Sequence, residues 1–322
     1  MSLLEISNLN IFFKSSNSPI KVVSDLCFEI DEAEVFGLVG ESGCGKSLTA
    51  LSVMGILPQN SFAEGEIIFQ GSNLLNLDKE SMRRLRGKDI AMIFQEPMTS
   101  LNPVLTIGHQ VAEVFTTHLG FSKKEAMAST VELLRAVKIP SPELRIREYP
   151  HQMSGGMRQR VMIAMAIACK PSLLIADEPT TALDVTIQAQ ILELLQRLKE
   201  EMKMAVLLIT HDLGIIAENA QRVAIMYAGR LVEFLDVKEL FHNPKHPYTI
   251  GLLDSLPKEK GAPLVPIPGV VPEPYKLPLG CKFSDRCRFV IPKCSEEEPE
   301  LRHHSSLHLV RCIRSEEIRW KS

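Results

Sequence analysis

The chain has the composition of an ordinary globular protein, with 322 residues, 45% of them hydrophobic, and a formal net charge of −3. This length allows one large domain or two, and the small net charge gives no electrostatic footprint for nucleic acid. No apolar run reaches about 18 residues, so no transmembrane helix is predicted. The N-terminus does not read as a signal peptide, so the seven cysteines are expected to be thiols or metal ligands in a reducing compartment.

The first elements with a chemical signal are a strand, a glycine-rich loop and a helix in succession. The apolar run at 34–39 is typical of a buried strand. Gly-Glu-Ser-Gly-Cys-Gly-Lys-Ser at 40–47 fits the phosphate-binding pattern G-x-x-x-x-G-K-[ST] at every specified position. The apolar residues after it predict a helix from Lys46 to Leu57, which Pro58 ends. This order favours bound phosphate, because the helix dipole and its free N–H groups attract anions.

Two side chains of this loop, called the P-loop below, have a defined chemistry. Lys46 supplies a positive charge for the β- and γ-phosphates, and the Ser47 hydroxyl is a ligand for Mg²⁺. Glycines are required because several positions of such a loop are strained for a residue with a Cβ. A bare glycine-rich turn is the alternative, and the strand and helix on either side make it the weaker one.

A second glycine pair precedes another predicted helix. Ser154 stands before the helix Met157 to Cys169, where it would act as an N-cap. Gly155 and Gly156 would let the backbone approach a γ-phosphate. A purely structural N-cap is the alternative reading of these three residues.

Residues 172–178 predict an apolar strand that ends in two carboxylates. Asp177 would hold Mg²⁺, directly or through water. Glu178 points elsewhere by strand alternation and is placed to polarise an attacking water. An acidic strand end at the surface is the alternative. Strand-like and helix-like segments alternate to about residue 235, which predicts an α/β domain with a largely parallel sheet.

Residues 244–322 differ in composition from the rest of the chain. They hold eleven of the 20 prolines and four of the seven cysteines, so we predict a separate, loop-rich appendage that begins near Asn243. Four thiolates in a segment with little apolar content could bind Zn²⁺ or a [4Fe–4S] cluster, and unligated thiols are the third possibility. The cysteines are Cys281, Cys287, Cys294 and Cys312. The nearby His303, His304 and His308 could substitute as ligands, but we expect them to be solvated.

The order of these motifs resembles the ATP-binding subunits of ABC transporters. The motifs are the P-loop, Gln95 after Met92-Ile93-Phe94, Ser154-Gly155-Gly156, Asp177-Glu178, Ala182-Leu183-Asp184, and His211 after Leu208-Ile209-Thr210. The resemblance covers residues 1 to about 240 and is specific, because six motifs occur in the right order. It implies a P-loop NTPase fold with a RecA-like core, an antiparallel β subdomain and a helical subdomain at about 97–168. These parts would form an ABC ATP-binding domain over residues 1–243.

The resemblance also implies a role for each motif. Glu178 would be the catalytic base, His211 would hydrogen-bond the γ-phosphate and orient the water, and Gln95 would contact Mg²⁺ and the water. Asp184 would link two nucleotide sites across a dimer. The implied Mg²⁺ ligands are Ser47, Gln95 and Asp177. The implied nucleotide-contacting residues are Phe13, Val22, Gly40, Glu41, Ser42, Gly43, Cys44, Gly45, Lys46, Ser47, Leu48, Gln95, Ser154, Gly155, Gly156, Asp177 and Asp184.

Two positions depart from the usual family pattern. Phe13 would stack on adenine, with Val22 as its apolar partner, where most members have a tyrosine; phenylalanine keeps the stacking surface and loses the hydroxyl. Met157 follows Ser154-Gly155-Gly156 where the family has glutamine, so the amide contact of that glutamine is lost. The serine and both glycines remain, and with Glu178 and His211 present we expect ATP hydrolysis.

The tail resembles the C-terminal extension of di- and oligopeptide importer ATPases, a branch that includes nickel and glutathione importers. The matching segments are 243–249, 266–269 and 280–287, so the extension is assigned to residues 244–322. Similar members carry a [4Fe–4S] cluster on these cysteines. We therefore favour the cluster over zinc and over unligated thiols for Cys281, Cys287, Cys294 and Cys312.

The resemblance implies a set of partners and a location. The partners are a second ABC ATPase subunit, forming a heterodimer (or a homodimer in isolation), two transmembrane permease subunits and an extracytoplasmic peptide-binding protein, with no nucleic acid. The chain would lie peripherally at the cytoplasmic face of the cell membrane. A soluble ABC ATPase of DNA repair or translation is an alternative, but it would need a long coiled-coil insertion, a zinc hook or a second cassette. A P-loop kinase that does not take part in transport is a second alternative, but Ser154-Gly155-Gly156 would have no function in such an enzyme.

Overall fold

The computed structural model describes residues 2–16, 18–95, 100–181, 183–256 and 266–320. Glu96, Pro97 and Ala182, which belong to the motif segments and the predicted start of the helical subdomain, lie outside the described residues. The strands are β1 (Ser2–Phe13), β2 (Ile20–Asp31), β3 (Val35–Val39), β4 (Ser61–Phe69), β5 (Ser72–Asn73), β6 (Ile90–Ile93), β7 (Leu173–Asp177), β8 (Ala205–Thr210), β9 (Arg222–Tyr227), β10 (Arg230–Asp236), β11 (Arg302–Ser305) and β12 (His308–Val310).

Helices occur throughout the described residues. They are α1 (Lys46–Val53), α2 (Lys79–Leu85), α3 (Ile107–Leu119), α4 (Lys123–Ala136), α5 (Pro142–Arg145), α6 (Gly155–Ile167), α7 (Val185–Met202), α8 (Leu213–Asn219), α9 (Val237–His242), α10 (Pro247–Asp254) and α11 (Lys293–Glu296). None of these described helices has the length and apolar character needed to cross a membrane.

The chain forms two compact units. The first unit comprises residues 31–34 and 76–208, and the second comprises residues 2–30, 35–75 and 209–322. The boundary at residue 243 between an ATP-binding domain and an extension was drawn from the sequence, and it does not coincide with the division into these two units. It stays a prediction.

The first unit holds two parallel strands and most of the long helices. β6 pairs with β7 in parallel, with Ile90 opposite Leu173 and Ile93 opposite Ala176. All five residues of β7 are buried, as is typical of a parallel strand covered on both faces. The longer helices begin at side-chain caps, which satisfy backbone N–H groups of the first turn. The caps are Thr106 for α3, Ser122 for α4, Ser154 for α6 and Asp184 for α7.

The second unit contains an antiparallel sheet of order β2-β1-β4-β5 and a mixed sheet in which β11, β12, β10, β9 and β3 are neighbours in that order. β3 pairs with β9 in parallel, with Phe36 opposite Arg222, and β9 and β10 form an antiparallel hairpin. β3 is fully buried, so the strand that leads into the P-loop is fixed along its length. An α/β fold was expected from the alternating pattern, and the structure has one.

The helix after the P-loop is shorter than the sequence pattern predicts. α1 ends at Val53, whereas the apolar spacing predicted a helix to Leu57. Gly55 takes a left-handed φ of 61°, and the Ile56 N–H donates to the Leu51 carbonyl at 3.0 Å. This is the hydrogen bond of a Schellman C-cap, which ends a helix at a glycine. Pro58 therefore follows a helix that has already ended.

The tail of the second unit is tied to β10. Residues of β12 pair with β10, with Glu233 opposite Val310. His308 in β12 is 2% exposed, and its Nε2 donates to the Glu233 carboxylate at 2.7 Å. The expectation that His308 is solvated was therefore wrong, because the hairpin carries it into the interior of the unit.

Candidate functional site

The P-loop lies in the second unit between β3 and α1. Lys46 is 5% exposed, and its Nζ donates to the carbonyl oxygens of Gly40 at 2.6 Å and of Glu41 at 3.0 Å. The loop thus curls around its own lysine, whose charge is screened from solvent. Ser47 opens α1 as its second residue.

Two glycines of the P-loop are required by geometry. A Cβ at Gly40 would lie 2.2 Å from the backbone oxygen of Met226. Gly45 has a φ of +101°, and a Cβ there would lie 2.6 Å from Val23 Cγ2. Only glycine fits at either position, because any side chain would collide or be strained. The loop therefore keeps its shape only with these residues.

Cys44 occupies one of the P-loop positions at which the pattern G-x-x-x-x-G-K-[ST] allows any residue, and its side chain is buried. Burial raises the pKa of its thiol, and the neighbouring Lys46 opposes that rise. A buried, neutral thiol fills space within the loop.

The remaining candidate residues of the second unit are Phe13, Val22 and His211. Phe13 and Val22 are half-buried, at the end of β1 and in β2. Phe12, the neighbour of Phe13, is stacked on Phe62 with ring centroids 4.9 Å apart, so its ring face is already engaged. This supports the choice of Phe13 as the adenine residue. His211 is exposed directly after β8.

In the first unit the structure brings Gln95 and Glu178 together. Gln95 follows β6 and Glu178 follows β7, and these strands are paired. The Gln95 Nε2 donates to the Glu178 Oε2 at 2.9 Å. Asp177, the last residue of β7, is 4% exposed, as suits a carboxylate that would hold Mg²⁺ through its oxygens.

Thr181 is a residue that the sequence analysis missed. Its hydroxyl donates to the same Glu178 oxygen at 2.8 Å, and Glu178 itself has a left-handed φ of 46°. A non-glycine residue in this region is strained, and such strain is concentrated at functional sites. Glu178 and Thr181 are only three residues apart in the sequence. No sequence pattern, however, predicted that their side chains would form a hydrogen bond.

The Ser154-Gly155-Gly156 segment meets the start of α7 within the first unit. Ser154 Oγ accepts the Met157 N–H at 3.3 Å, and Asp184 Oδ1 accepts the Ile187 N–H at 3.0 Å. A Cβ at Gly156 would lie 2.8 Å from Ile187 Cγ2. Gly156 thus has a packing reason of its own, and its approach to a phosphate stays a prediction.

The four tail cysteines line one small cavity in the second unit. Burial raises the pKa of the Cys281 thiol to about 11 and that of the Cys312 thiol to about 12, and the other cysteines add to both rises. Among the described residues, however, no group of three or more His, Cys, Asp or Glu side chains could hold a metal ion. The structure therefore gathers the cysteines without showing the predicted metal centre.

Two further contacts of the P-loop come from the tail, and no sequence signal points to them. The Glu41 N–H donates to the Tyr248 hydroxyl at 2.9 Å, and the Glu41 carboxylate pairs with Arg286 at 3.1 Å. These partners are 207 and 245 residues away along the chain. Local patterns do not report contacts across such separations.

Two family models match the chain. The one described as "ABC transporter" matches residues 23–181, and the one described as "Oligopeptide/dipeptide transporter, C-terminal region" matches residues 232–294.

Curated relatives match over almost the whole chain. The probable peptide ABC transporter ATP-binding protein y4tR of Sinorhizobium fredii is 51% identical, over 98% of this chain and 96% of its own. The dipeptide transport ATP-binding protein DppD of Haemophilus influenzae is 50% identical, over 97% of this chain and 95% of its own. The oligopeptide transport ATP-binding protein OppD of the same organism is 50% identical, over 91% of each chain.

Solved structures of ATP-binding cassettes match the fold. A dimeric, post-hydrolysis state of the cassette MJ0796 bound to ADP and Pi has a TM-score of 0.65 and 26% identity, and covers 73% of this chain and 98% of that one. A second dimeric structure of MJ0796 matches with the same TM-score and 27% identity.

Proposed function

Because the chain belongs to the family of peptide ABC transporter ATP-binding proteins, we propose that it powers the import of dipeptides or oligopeptides. It binds and hydrolyses ATP as the ATP-binding subunit of that importer. Relatives named for dipeptide transport and for oligopeptide transport are both 50% identical to the chain, and the proposal covers both classes of peptide. Nickel or glutathione as cargo is the alternative within this branch.

The catalytic assignment rests on the hydrogen bond between Gln95 and Glu178. Glu178 would accept a proton from the attacking water, and Gln95, which already contacts its carboxylate, would help to position that water. Lys46 would bind the β- and γ-phosphates with its ammonium group. His211 would orient the water, and Phe13 would stack on adenine with Val22 beside it.

Mg²⁺ is the ion that this chemistry requires, and the chain offers hard oxygen donors for it. Ser47, Gln95 and Asp177 would hold the ion, and it would neutralise the charge that develops on the phosphate oxygens. Asp177 ends β7 directly before Glu178, so its carboxylate oxygens lie next to the proposed base in the chain, and such hard oxygens are the donors that Mg²⁺ prefers.

We further propose that the chain works as one of two ATPase subunits against two permeases and a peptide-binding protein. Ser154, Gly155 and Gly156 would contact the γ-phosphate held by the partner subunit's P-loop, and Asp184 would connect the two sites. The chain would then be a peripheral protein at the cytoplasmic face of the membrane. The dimeric cassette structures that match the fold support the pairing of two ATPase subunits.

The experiment compares Glu178→Gln with the matched control Glu193→Gln. Glu193 lies on α7 in the same unit, and its side chain is 72% exposed. In the importer reconstituted in lipid vesicles, Glu178→Gln should bind ATP normally but lose at least about 100-fold in phosphate release and peptide uptake. Glu193→Gln should match the wild type. Hydrolysis by Glu178→Gln at near the wild-type rate would show that the base is another group.

For the tail cysteines we propose ligation of a [4Fe–4S] cluster, with Zn²⁺ as the alternative. The four thiols line a common cavity, and thiolates suit iron and zinc rather than Mg²⁺ or Ca²⁺. Among the described residues no group of three or more His, Cys, Asp or Glu side chains is arranged to hold a metal ion, so the proposal rests on the shared cavity and on thiolate chemistry. A bound cluster would hold the four cysteines as thiolates and join four separate points of the tail.

Iron and sulfide analysis of anaerobically purified protein tests this proposal. Wild type and Cys169→Ser should contain about four iron atoms per chain, since Cys169 lies outside the cavity. Cys287→Ser should lose most of the iron. Zinc without iron in the wild type would refute the cluster.

A further inference from the structure

The contacts of Glu41 connect the P-loop with the tail inside the second unit. We propose that Arg286 and Tyr248 are positioning residues of the nucleotide site, which hold Glu41 and through it Lys46 in the conformation that binds ATP. This inference rests on the proposed function of the P-loop. It assigns a role in ATP affinity to two residues of the C-terminal region.

Glu41 is held on three sides. Its backbone N–H donates to the Tyr248 hydroxyl at 2.9 Å, and its carboxylate accepts from Arg286 Nη1 at 3.1 and 3.2 Å. Its carbonyl oxygen accepts from Lys46 Nζ at 3.0 Å. Glu41 thus connects the two tail side chains with Lys46, the lysine that would bind phosphate. A shift of Glu41 would therefore displace the carbonyl oxygen that accepts the hydrogen bond from Lys46 Nζ.

Arg286 has little freedom to move. It is 8% exposed, and its guanidinium lies 5.6 Å from the ring centroid of Tyr227 and 5.9 Å from that of Phe283. Its Nε also donates to the Pro268 carbonyl at 2.7 Å. A buried charge that loses its partner is strongly destabilised, so the ion pair with Glu41 should be kept in the folded chain.

Tyr248 is equally fixed. It is fully buried and packs against Tyr227 and Phe283, with ring centroids 4.8 and 5.4 Å apart. Burial raises the pKa of its hydroxyl, so the group stays protonated and neutral near pH 7. The two partners of Glu41 therefore belong to one aromatic cluster, made of Tyr227, Tyr248 and Phe283 with Arg286 against it.

The cluster adjoins the cysteine-lined cavity. Phe283 lies two residues after Cys281, and Arg286 directly precedes Cys287. Phe283 also lines that cavity. Residues 281–287 thus contain two of the four cysteines and also Arg286, whose guanidinium binds Glu41 of the P-loop. This segment therefore connects the cysteine-lined cavity with the P-loop.

The test uses variants of both ends of the ion pair in the full-length chain and in the assembled importer. Arg286→Met keeps most of the apolar stem and removes the charge, and Glu41→Gln removes the charge from the P-loop side. The matched control is Arg288→Met, because Arg288 lies on the other side of Cys287, is 56% exposed and pairs with Asp254 instead. Tyr248→Phe removes only the hydroxyl.

We expect Arg286→Met and Glu41→Gln each to weaken equilibrium ATP binding about tenfold and to raise KM for ATP in the importer by the same factor. For Arg286→Met the kcat at saturating ATP should stay within about twofold, because the arginine acts on binding. Tenfold is about 1.4 kcal/mol, which lies just below the usual contribution of a hydrogen bond to a charged group. The double variant Arg286→Met/Glu41→Gln should bind ATP no more weakly than the weaker-binding of the two single variants. Arg286→Lys should bind ATP more tightly than Arg286→Met. Tyr248→Phe should weaken binding about threefold.

Several results would overturn the proposal. They are an ATP affinity of Glu41→Gln within twofold of the wild type, additive losses in the double variant, and an equal loss in Arg288→Met. If Arg286→Met does not fold, Glu41→Gln and Arg286→Lys decide the question, since both keep a positive charge at position 286. A wild-type chain that binds no ATP would instead refute the proposed function itself.

Discussion

Replacing Glu233 with glutamine tests how the tail is held to β10 in the second unit. Glu233 is completely buried, and its carboxylate accepts three hydrogen bonds. The donors are the backbone N–H groups of Lys245 at 2.6 Å and of His246 at 3.1 Å, and the His308 Nε2 at 2.7 Å. One side chain therefore fastens both the start of α10 and the β11–β12 hairpin.

The size of the effect follows from the number of donors. A glutamine keeps one acceptor oxygen, which can serve Lys245 and His308, but it turns an NH₂ group towards the His246 N–H. A buried donor without an acceptor costs about 1–3 kcal/mol, and bonds to a charged acceptor are stronger than bonds to a neutral one. Together these losses predict a destabilisation of about 3 kcal/mol.

Trp320 makes the loss measurable. It is the single tryptophan of the chain, and its Nε1 donates to Asp254 at the end of α10 at 3.1 Å. Its fluorescence during urea unfolding reports on the tail, and a loss of about 3 kcal/mol should lower the midpoint by at least about 1 M. Glu239→Gln, an exposed position on α9, serves as the control and should shift it by less than about 0.3 M. Equal midpoints for Glu233→Gln and Glu239→Gln would refute the reasoning.

Three further predictions concern single residues. Burial lowers the pKa of His246 to about 4, so the unfolded chain takes up the proton first as pH falls from about 6.5. The free energy of unfolding of the wild type should therefore fall by up to about 3 kcal/mol between about pH 6.5 and pH 4. His246→Asn should not show this fall, and an equal pH dependence of the two proteins in urea titrations would contradict the prediction. Thr181→Ala removes a hydrogen bond to Glu178 and should lower kcat about tenfold, whereas Thr181→Ser should keep most of it; equal rates for the two variants would exclude a positioning role. Gly40→Ala places a Cβ 2.2 Å from a backbone oxygen of β9 and should weaken ATP binding more than tenfold by calorimetry, so unchanged affinity would show that the loop can shift.

The parts of the site that could be predicted from sequence are those set by short segments. The strand, loop and helix start around Lys46 follow from an apolar run, a glycine pattern and a phosphate-binding helix end. The N-cap at Ser154 is equally local. By contrast, the end of α1 was predicted from apolar spacing and Pro58, although Gly55 carries the stronger stop signal. A left-handed glycine closes a helix, and weighing Gly55 in that way would have given the right end.

The contacts that sequence could not supply join distant segments. Gln95 and Glu178 were each predicted as functional, but their direct hydrogen bond depends on the pairing of β6 with β7. Arg286 and Tyr248 carried no signal for the P-loop, since each reads as an ordinary residue of a proline-rich tail. His308 was expected in solvent, and strand pairing with β10 placed it beside a buried carboxylate.

The long separation between Glu41 and its partners also has a consequence for synthesis. The ribosome releases the P-loop first, and Tyr248 and Arg286 follow 207 and 245 residues later. At about 5–20 residues per second, this delay is about 10–50 s. During that time the nascent chain exposes a phosphate loop whose fixing contacts do not yet exist. A chain interrupted before Arg286 would never acquire them, so full affinity for nucleotide would mark a subunit whose translation has passed that point.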